Sequence, residues 1–303
     1  MHYVKAKGLL SARNGMNIYR GCTHGCIYCD TRSKCYQIKH DLEDIEVKIN
    51  APELLESALR KKRQKCMIST GAMCDPYIPL ENEIRYTRKC LEIIYKYGFG
   101  LNILTKSAGI LRDIDLLAEI NKKAKCVVEM TLTTYDESLC KIIEPNVSTT
   151  AERFKALCAF RDAGIPTVVW FCPLLPFIND TEENLRGILD YCINAKVYGI
   201  VVWSIGMTLR EGNREYFYQK LDDFLPGMSK KYHATFGYDY EITSKNSPAL
   251  MKLLREICTK NGIIYDQKNQ TRNRIKDVIK SGLEINMKKV KNENILEMPL
   301  KNN

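Results

Sequence analysis

The chain has 303 residues, of which 45% are hydrophobic, so it is long enough to bury a full enzyme core. It has no run of 18 apolar residues and no apolar segment near its start, which argues against a membrane span and a secretion signal and predicts a cytoplasmic protein. Thirteen cysteines favour a reducing compartment over a disulfide scaffold, and the net charge of +10 favours polyanionic partners such as nucleic acid.

Strand-like runs recur along the first 225 residues and set the predicted order of elements. The first, residues 16–19, ends at a loop with three cysteines, and a long polar connection follows over residues 21–47. Loops of that length inside a compact domain are usually functional. The other predicted strands are short apolar or β-branched runs at residues 66–70, 101–105, 125–132, 167–171 and 199–203.

Helical patterns separate these strands and have recognisable ends. Pro52 suits the first turn of a helix, and Asp180 caps another, a task that Thr181 can share. Gly98 and Gly164 end two more. Besides the helix at Pro52, the predicted helices cover residues 84–97, 113–120, 150–163, 182–194, 214–224 and 248–258.

Six strand–helix units in series predict parallel strands joined by right-handed crossovers. The eight units of a closed (β/α)8 barrel are not present in the pattern, so residues 1–225 are predicted to form an open, partial (β/α)6 barrel. Residues 226–303 are predicted to form a C-terminal extension, helical with a basic tail. The basic residues of that tail are Arg272, Arg274, Lys276, Lys280, Lys288, Lys289 and Lys291.

Three cysteines follow the first predicted strand with the spacing C-x3-C-x2-C, namely Cys22, Cys26 and Cys29. Gly21 and Gly25 let the loop wrap, so that the three thiolates can converge on one metal centre. Biological [4Fe–4S] clusters usually take four cysteines, so three ligands leave one iron open and favour chemistry at the cluster. A structural zinc site is the alternative, with Cys35 or His24 completing its tetrahedron.

Polar or glycine-bearing clusters follow five of the predicted strands, at the strand ends where barrel enzymes place their active sites. Besides the cysteine loop, they comprise residues 69–77, 105–107, 131–134 and 172–180. Each one alone is compatible with ordinary turn chemistry. Five in succession on one predicted face indicate a site there.

The cysteine loop resembles the cluster-binding loop of the radical S-adenosylmethionine (SAM) superfamily, C-x3-C-x-aromatic-C, with Tyr28 as the aromatic residue beside the cofactor. The resemblance implies a [4Fe–4S] cluster on the three cysteines, with SAM bound at the open iron. Reductive cleavage of SAM would then form a 5′-deoxyadenosyl radical that abstracts hydrogen from an unidentified substrate. The cofactor supplies this reactivity, and the protein positions and shields it.

Five further residues are assigned to the SAM site through this resemblance. Lys106 is expected to pair with the SAM carboxylate as a point charge. Thr131 and Thr133 are expected to hydrogen-bond the carboxylate or the ribose, and Thr70 and Gly71 to offer backbone groups to the amino end. The alternative for each is an ordinary surface lysine or strand-end residue.

Beyond the superfamily, the motifs over residues 15–225 resemble those of the spore photoproduct lyase family. The segments that carry this resemblance are residues 17–22, 71–77, 79–81 and 105–107, Glu144-Pro145 with Arg153, and residues 163–166 and 179–180. In that family the residues matching Lys106 and Thr131 contact SAM.

Two departures from that family's pattern predict a different substrate. Spore photoproduct lyases have a tyrosine after the third cluster cysteine, whereas this chain has Asp30. The family's hydrogen-donating cysteine aligns with Ala72, and Cys74 lies two residues later. A thiol has a weak S–H bond, so Cys74 is a candidate hydrogen-atom donor to a substrate radical. The alternative is one more small, buried cysteine.

The resulting prediction is a lyase-like radical SAM enzyme, whose unidentified substrate includes a DNA or RNA lesion or base among the candidates. It implies an electron donor such as flavodoxin or ferredoxin, and it allows nucleic acid as a partner. Two alternatives stay open. One is a non-catalytic nucleic-acid-binding protein stabilised by zinc or an iron–sulfur cluster, and the other is a redox sensor whose cluster reports oxygen.

Overall fold

The computed structural model describes residues 1–265. The basic residues predicted for the tail, from Arg272 to Lys291, lie outside the described residues. Within the described part, each helix is too short or too polar to cross a bilayer.

Short strands form three sheets within residues 1–265, and the largest of these positions the candidate site. The strands are β1 (His2–Val4), β2 (Gly15–Met16), β3 (Tyr19–Arg20), β4 (Glu46–Lys48), β5 (Met67–Thr70), β6 (Gly100–Thr105), β7 (Cys126–Thr131), β8 (Thr167–Trp170), β9 (Gly199–Val201), β10 (Gly206–Thr208), β11 (Glu241–Thr243) and β12 (Ile264–Tyr265). Seven of them form the central sheet, in the order β12-β9-β8-β7-β6-β5-β2. All neighbouring pairs in it are parallel, so its carboxyl ends meet at one edge.

Helices connect the strands of the central sheet. They are α1 (Ala51–Lys61), α2 (Glu81–Ile84), α3 (Tyr86–Tyr97), α4 (Ile114–Lys123), α5 (Glu137–Ile143), α6 (Thr150–Asp162), α7 (Glu182–Asn194), α8 (Asn213–Phe224), α9 (Met228–Phe236) and α10 (Ser247–Lys260). Three 3-10 helices lie at Asp30–Arg32, Lys34–Tyr36 and Ala108–Asp113. Parallel strands require such crossovers, because each strand must return to the same end of the sheet before the next begins.

Side-chain alternation gives the central sheet two different faces. One set of residues joins the main hydrophobic core beneath the helices, including Leu101, Ile103, Val128, Met130, Val169 and Ile200. The residues between them lie on the opposite, concave face, where Val127, Val168 and Val201 form a separate small cluster. The main core therefore lies on one side of the sheet, and the concave face is available for a site.

The predicted fold class, an open partial (β/α)6 barrel with a helical C-terminal extension, is confirmed. Six parallel strands, from β2 to β9 in the central sheet, alternate with helices in the predicted order. The two-residue strand β12 adds a seventh strand beside β9. Its shortness explains why periodicity did not reveal it, since two residues carry no alternation.

The prediction of one strand over residues 16–19 is wrong. Gly15–Met16 pairs with β5 in the central sheet, whereas Tyr19–Arg20 pairs antiparallel with β4 in a separate sheet of order β1-β4-β3. The chain changes sheets between them. Met16, Ile18 and Tyr19 are all buried, so hydrophobicity alone could not show the break.

The C-terminal extension contains more structure than the single predicted helix. The predicted helix over residues 248–258 is found within α10, but α9 and β11 precede it. The strand β11 pairs antiparallel with β10, which lies just after the barrel strands. Three-residue strands give too short a pattern to be recognised from sequence.

Candidate active site

The cysteine loop follows β3 and is held from two sides by backbone hydrogen bonds. The N–H of Cys22 donates to the carbonyl of Leu42 at 2.7 Å, and the N–H of Ile27 donates to the carbonyl of Ile143 at 3.0 Å. Gly21 has a φ of +102°, and a Cβ there would lie 2.6 Å from the Leu42 oxygen. The glycine is therefore required for the loop to approach the connection that precedes β4.

The three loop cysteines differ in their acidity. The neighbouring Cys74 thiol is the main cause that lowers the pKa of Cys22 to about 6. Burial raises the pKa values of Cys26 and Cys29. Since the thiolate is the form that binds a metal, Cys22 is the most readily ionised ligand of the three.

The spacing of the loop thiols fits a cluster better than a single zinc ion. Zn–S bonds of about 2.3 Å in a tetrahedron would bring the sulfur atoms within roughly 4 Å of one another. Among the residues that the structure describes, no three ligand atoms that include a loop cysteine lie mutually within 4.8 Å. A [4Fe–4S] cluster takes one thiolate per iron and so accepts wider spacing. The donor set therefore fits a cluster.

Cys74 follows β5 and lies next to the cysteine loop. Its side chain is buried in the main core with Tyr19, and its thiol donates to the carbonyl oxygen of Asp75 at 3.5 Å. The nearby Cys22 and burial raise the pKa of Cys74 well above its usual value. The sequence places Cys74 just past a strand end, but it could not show that the side chain turns into the core.

Asp75 fixes the ends of β5 and β6 relative to the cysteine loop. Its carboxylate accepts hydrogen bonds from the Thr105 hydroxyl at 2.7 Å and from the N–H groups of Lys106 at 2.7 Å and Tyr77 at 2.8 Å. Nε2 of His24 lies 3.1 Å from the same carboxylate and forms an ion pair with it, but the angle of this contact is not that of a hydrogen bond. Burial alone would lower the pKa of His24, but Asp75 outweighs it and raises that pKa to about 9.

Lys106 presents an ammonium group that has no carboxylate partner among residues 1–265. Its Nζ lies 5.7 Å from the centroid of the Tyr28 ring. Burial acts to lower the pKa of Lys106, but the nearby Cys26 and Glu144 outweigh it, so the group stays charged. A half-buried ammonium with free donors is suited to an anionic ligand group such as a carboxylate.

A fully buried ion pair joins Glu144 and Arg153 at 2.6 Å next to the cysteine loop. The Tyr28 hydroxyl donates to the Glu144 carboxylate, and the Thr133 hydroxyl donates to it at 3.4 Å. Arg153 also donates to the carbonyl of Thr131 at 2.7 Å. Removing one partner of such a pair lowers the free energy of unfolding by about 3–5 kcal/mol. The pair is therefore strongly held, and through the hydroxyl of Tyr28 it keeps that ring in place.

Thr70 and Gly71 lie at the carboxyl end of β5. Gly71 has a φ of +99°, and a Cβ there would lie 1.9 Å from the carbonyl oxygen of Leu104 on β6. The close approach of the two strands therefore requires glycine at this position, whether or not a ligand binds. Its backbone groups are at the strand end predicted for the amino end of SAM.

The concave face carries four residues that the sequence analysis did not single out. The two tryptophans of the chain, Trp170 and Trp203, meet edge to face at 5.5 Å, and Trp203 is 49% exposed. Glu129 is 2% exposed and accepts a hydrogen bond from Nε1 of Trp170 at 2.8 Å. Oε1 of Glu129 and Oδ1 of Asn102 are buried and have no partner in the described part of the chain. Because side chains alternate between the two faces along a strand, the sequence of β7 puts Glu129 on the same face of the sheet as Thr131.

The unpaired oxygens make the floor of the concave face an acceptor site. Burial raises the pKa of Glu129 to about 7, while hydrogen bonds from Trp170 and Asn102 partly oppose it. Burial raises the pKa of the half-buried Cys172 thiol, with Lys106 opposing that rise and Glu129 adding to it. Lys106 and Glu129 therefore both lie near Cys172.

The structure brings only part of the predicted site together. Tyr28 and Lys106 lie with the loop cysteines, and Thr131 ends β7 beside them. Thr133 is fully buried and turned towards Glu144. Thr133 would therefore contribute to the predicted SAM site only indirectly, through its hydrogen bond to the carboxylate that also holds Tyr28.

Asp30, the first departure from the lyase pattern, has a structural use in this chain. Its carboxylate accepts hydrogen bonds from the hydroxyls of Ser33 at 2.9 Å and Tyr36 at 2.7 Å, and it forms an ion pair with Arg210. These contacts dock the cysteine loop onto the segment between β10 and α8. A tyrosine could not form the ion pair.

The sequence model of the radical SAM superfamily matches residues 16–192. This match covers more than half of the chain and includes the cysteine loop and the strands β5 to β8. The chain belongs to the radical SAM superfamily. A radical SAM domain implies a [4Fe–4S] cluster and SAM, which agrees with the wide thiol spacing and the unpaired ammonium described above.

Several proteins are similar to this chain. An uncharacterised protein of Mycobacterium tuberculosis is 28% identical over 267 aligned residues, covering 84% of this chain and 75% of that protein. One of Methanocaldococcus jannaschii is 32% identical over 173, covering 56% and 64%. Among solved structures, spore photoproduct lyase complexed with dinucleoside spore photoproduct has a TM-score of 0.60 at 14% identity, covering 82% of this chain and 74% of that one. The predicted relation in fold to that lyase is confirmed.

Proposed function

We propose that the protein cleaves SAM reductively at a [4Fe–4S] cluster on Cys22, Cys26 and Cys29, which supplies a 5′-deoxyadenosyl radical that abstracts hydrogen from a substrate. The observation that carries this proposal is the unpaired Lys106 ammonium beside the cysteine loop. The implied reductant is a small electron carrier such as flavodoxin or ferredoxin.

The chain's own residues would bind and orient SAM. Lys106 offers a positive charge to the carboxylate, and Asp75 holds its backbone through the 2.7 Å hydrogen bond. Backbone groups of Thr70 and Gly71 are available to the amino end, and Thr131 to the ribose or carboxylate. Tyr28 keeps its place through Glu144.

The apolar lining of the concave face would exclude water from a reactive intermediate. Val127, Val168 and Val201 are buried there in one cluster, and Trp170 packs against it. A dry site of this kind prevents side reactions of a substrate radical. It therefore suits hydrogen abstraction better than hydrolysis.

A DNA or RNA base or lesion is the substrate class that the residues of the concave face support best. Trp203 offers a half-exposed ring for stacking, and the free oxygens of Glu129 and Asn102 can accept hydrogen bonds from the N–H groups of a base. The positive net charge attracts a polyanion. The lyase of similar fold has a dinucleoside as its bound ligand, so a lyase-type reaction is the corresponding proposal here.

Anaerobic reconstitution followed by chemical reduction tests the cofactor chemistry. We expect slow formation of 5′-deoxyadenosine and methionine even without substrate. Lys106→Ala should weaken SAM binding by about 1.5–3 kcal/mol, the range for a charge-assisted hydrogen bond. Lys122→Ala is the matched control, because that lysine is 73% exposed. Equal SAM affinity in both variants would contradict the role of Lys106.

Metal analysis of the same preparations separates the alternatives. The proposal requires about four irons with sulfide per chain, whereas the nucleic-acid-binding alternative with structural zinc requires one zinc at the cysteines. Alanine at Cys22, Cys26 or Cys29 should remove the cluster, and Cys35→Ala should not. A full cluster without SAM binding would support the redox-sensor alternative.

A further inference from the structure

A second group of metal-ligating side chains lies outside the radical SAM site. One ligand atom each from His2, His40 and Glu46 lie within 4.8 Å of one another. His2 on β1 is the register partner of Glu46 on β4. His40 precedes β4 in the long connection and reaches the same point, with its Nε2 3.9 Å from the Glu46 carboxylate.

Both imidazoles are oriented as metal-binding histidines usually are. Nδ1 of His2 lies 3.0 Å from the Asp44 carboxylate, and Nδ1 of His40 lies 2.9 Å from the carbonyl oxygen of Asp41. A histidine that donates its Nδ1–H to such an acceptor keeps a free lone pair on Nε2. Nε2 of His40 is shielded from solvent and has no hydrogen-bond partner within residues 1–265.

We propose that His2, His40 and Glu46 bind a zinc ion through two imidazole nitrogens and one carboxylate. This donor set is one that zinc takes, whereas magnesium prefers oxygen ligands alone. The three side chains are 40%, 17% and 19% exposed, so water has access to a fourth position. Asp44 would orient the His2 ring and would not bind the metal itself.

A zinc ion at this point would stabilise the segments that support the cysteine loop. It would tie β1 and residues 37–45 to β4, which pairs with β3 at the entrance to the loop. The same segment contains Leu42, whose carbonyl accepts the hydrogen bond from Cys22. The site is separate from the three loop cysteines.

Zinc titration of untagged, reconstituted protein tests the site while the cluster occupies the cysteines. Calorimetry and metal analysis should give one zinc per chain, and magnesium should give no binding. His40→Ala should lose that zinc. His233→Ala should keep it, since that histidine is on the exposed surface of α9. Asp44→Asn should weaken zinc binding about 10–100-fold, as loss of an orienting partner does.

Cobalt as a spectroscopic probe distinguishes this site from the thiolates. We expect the absorption spectrum of bound cobalt to show the visible bands typical of nitrogen and oxygen ligands. The sulfur-to-metal charge-transfer band that cysteine ligands give should be absent. Equal zinc content in His40→Ala and His233→Ala, or a thiolate band with cobalt, would overturn the proposal. If His40→Ala does not fold, Glu46→Gln replaces it, and unchanged zinc affinity there would overturn the proposal equally.

Discussion

Glu129 is a buried carboxyl group with only neutral neighbours. Trp170 donates to it, but no cation among the described residues pairs with it. An ionised carboxylate in such surroundings is costly, which is why burial raises its pKa from 4.5 to about 7. A group of this kind destabilises the folded chain, and that is typical of a binding site rather than of a packed core.

Glu129→Gln should therefore stabilise the protein in a pH-dependent way. Because the folded pKa is raised, the protonated form contributes its full stability below about pH 4.5, and that contribution is lost as pH rises through about 7. The variant's advantage in unfolding free energy should grow to roughly 3 kcal/mol across this window, at ~1.4 kcal/mol per pKa unit. Urea unfolding at several pH values measures it. The exposed Glu119→Gln is the control, and a pH-independent difference would contradict the assignment.

Cys74 makes a different prediction from the one its sequence position suggested. Its thiol is a neighbour of Cys22 and the main cause that lowers the pKa of Cys22, and polar S–H groups close to ligating sulfur raise the reduction potential of a cluster. Cys74→Ala should make the midpoint potential of the cluster more negative, as measured by a redox titration followed by electron paramagnetic resonance. Cys90→Ala is the control, since that cysteine is also fully buried in the core. Equal potentials would leave hydrogen donation as the remaining hypothesis for Cys74.

At the level of elements, the sequence predicts the loop and the strand–helix order but not the partners of the loop. Cys22, Cys26 and Cys29 are recognisable because their spacing is local. Tyr28 and Glu144, whose hydrogen bond holds the ring of Tyr28, are 116 positions apart, and no local pattern reveals such a contact. The concave-face residues were missed for another reason. Glu129 lies inside a strand that is otherwise mostly apolar, and such a pattern does not show which face of the sheet its side chain takes.

Strand lengths explain the remaining differences between expectation and structure. Strands of four to six residues, such as β6 and β7, were predicted within one or two residues at each end. The two- and three-residue strands β3, β11 and β12 were not recognised, because their pairing depends on distant segments. The separate sheet β1-β4-β3 is built only from such pieces, and it carries the proposed zinc site.

At the scale of the whole molecule, the basic run of Arg60, Lys61, Lys62, Arg63 and Lys65, which precedes the tail in sequence, lies away from the active site. Residues 60–65 lie between the end of α1 and the start of β5, at the amino edge of the central sheet. The radical SAM site lies at the carboxyl edge. The run at residues 60–65 is therefore on the wrong side to guide a nucleic acid into the concave face, although it contributes to the net charge.

A nucleic-acid substrate predicts that the two basic runs affect binding differently. Single-stranded DNA should bind the full chain at ~50 mM salt, and its affinity should fall steeply as salt rises, because phosphate contacts release counterions. Replacing Arg60, Lys61, Arg63 and Lys65 with alanine should leave the salt dependence unchanged. Replacing Arg272, Arg274, Lys276 and Lys280 should reduce the slope of log K against log salt by up to about 3, at ~0.7 per contact. Fluorescence anisotropy measures both slopes.

Two results would contradict this prediction at different levels. Absence of binding at ~50 mM salt, where the electrostatic term is strong, would remove nucleic acid from the substrate candidates and leave SAM cleavage untouched. A reduced slope only in the variant of residues 60–65 would mean that DNA binds at the amino edge, away from the radical. Loss of slope from the tail residues alone would support a strand whose phosphates contact the tail and whose base reaches Trp203 and Glu129 at the carboxyl edge.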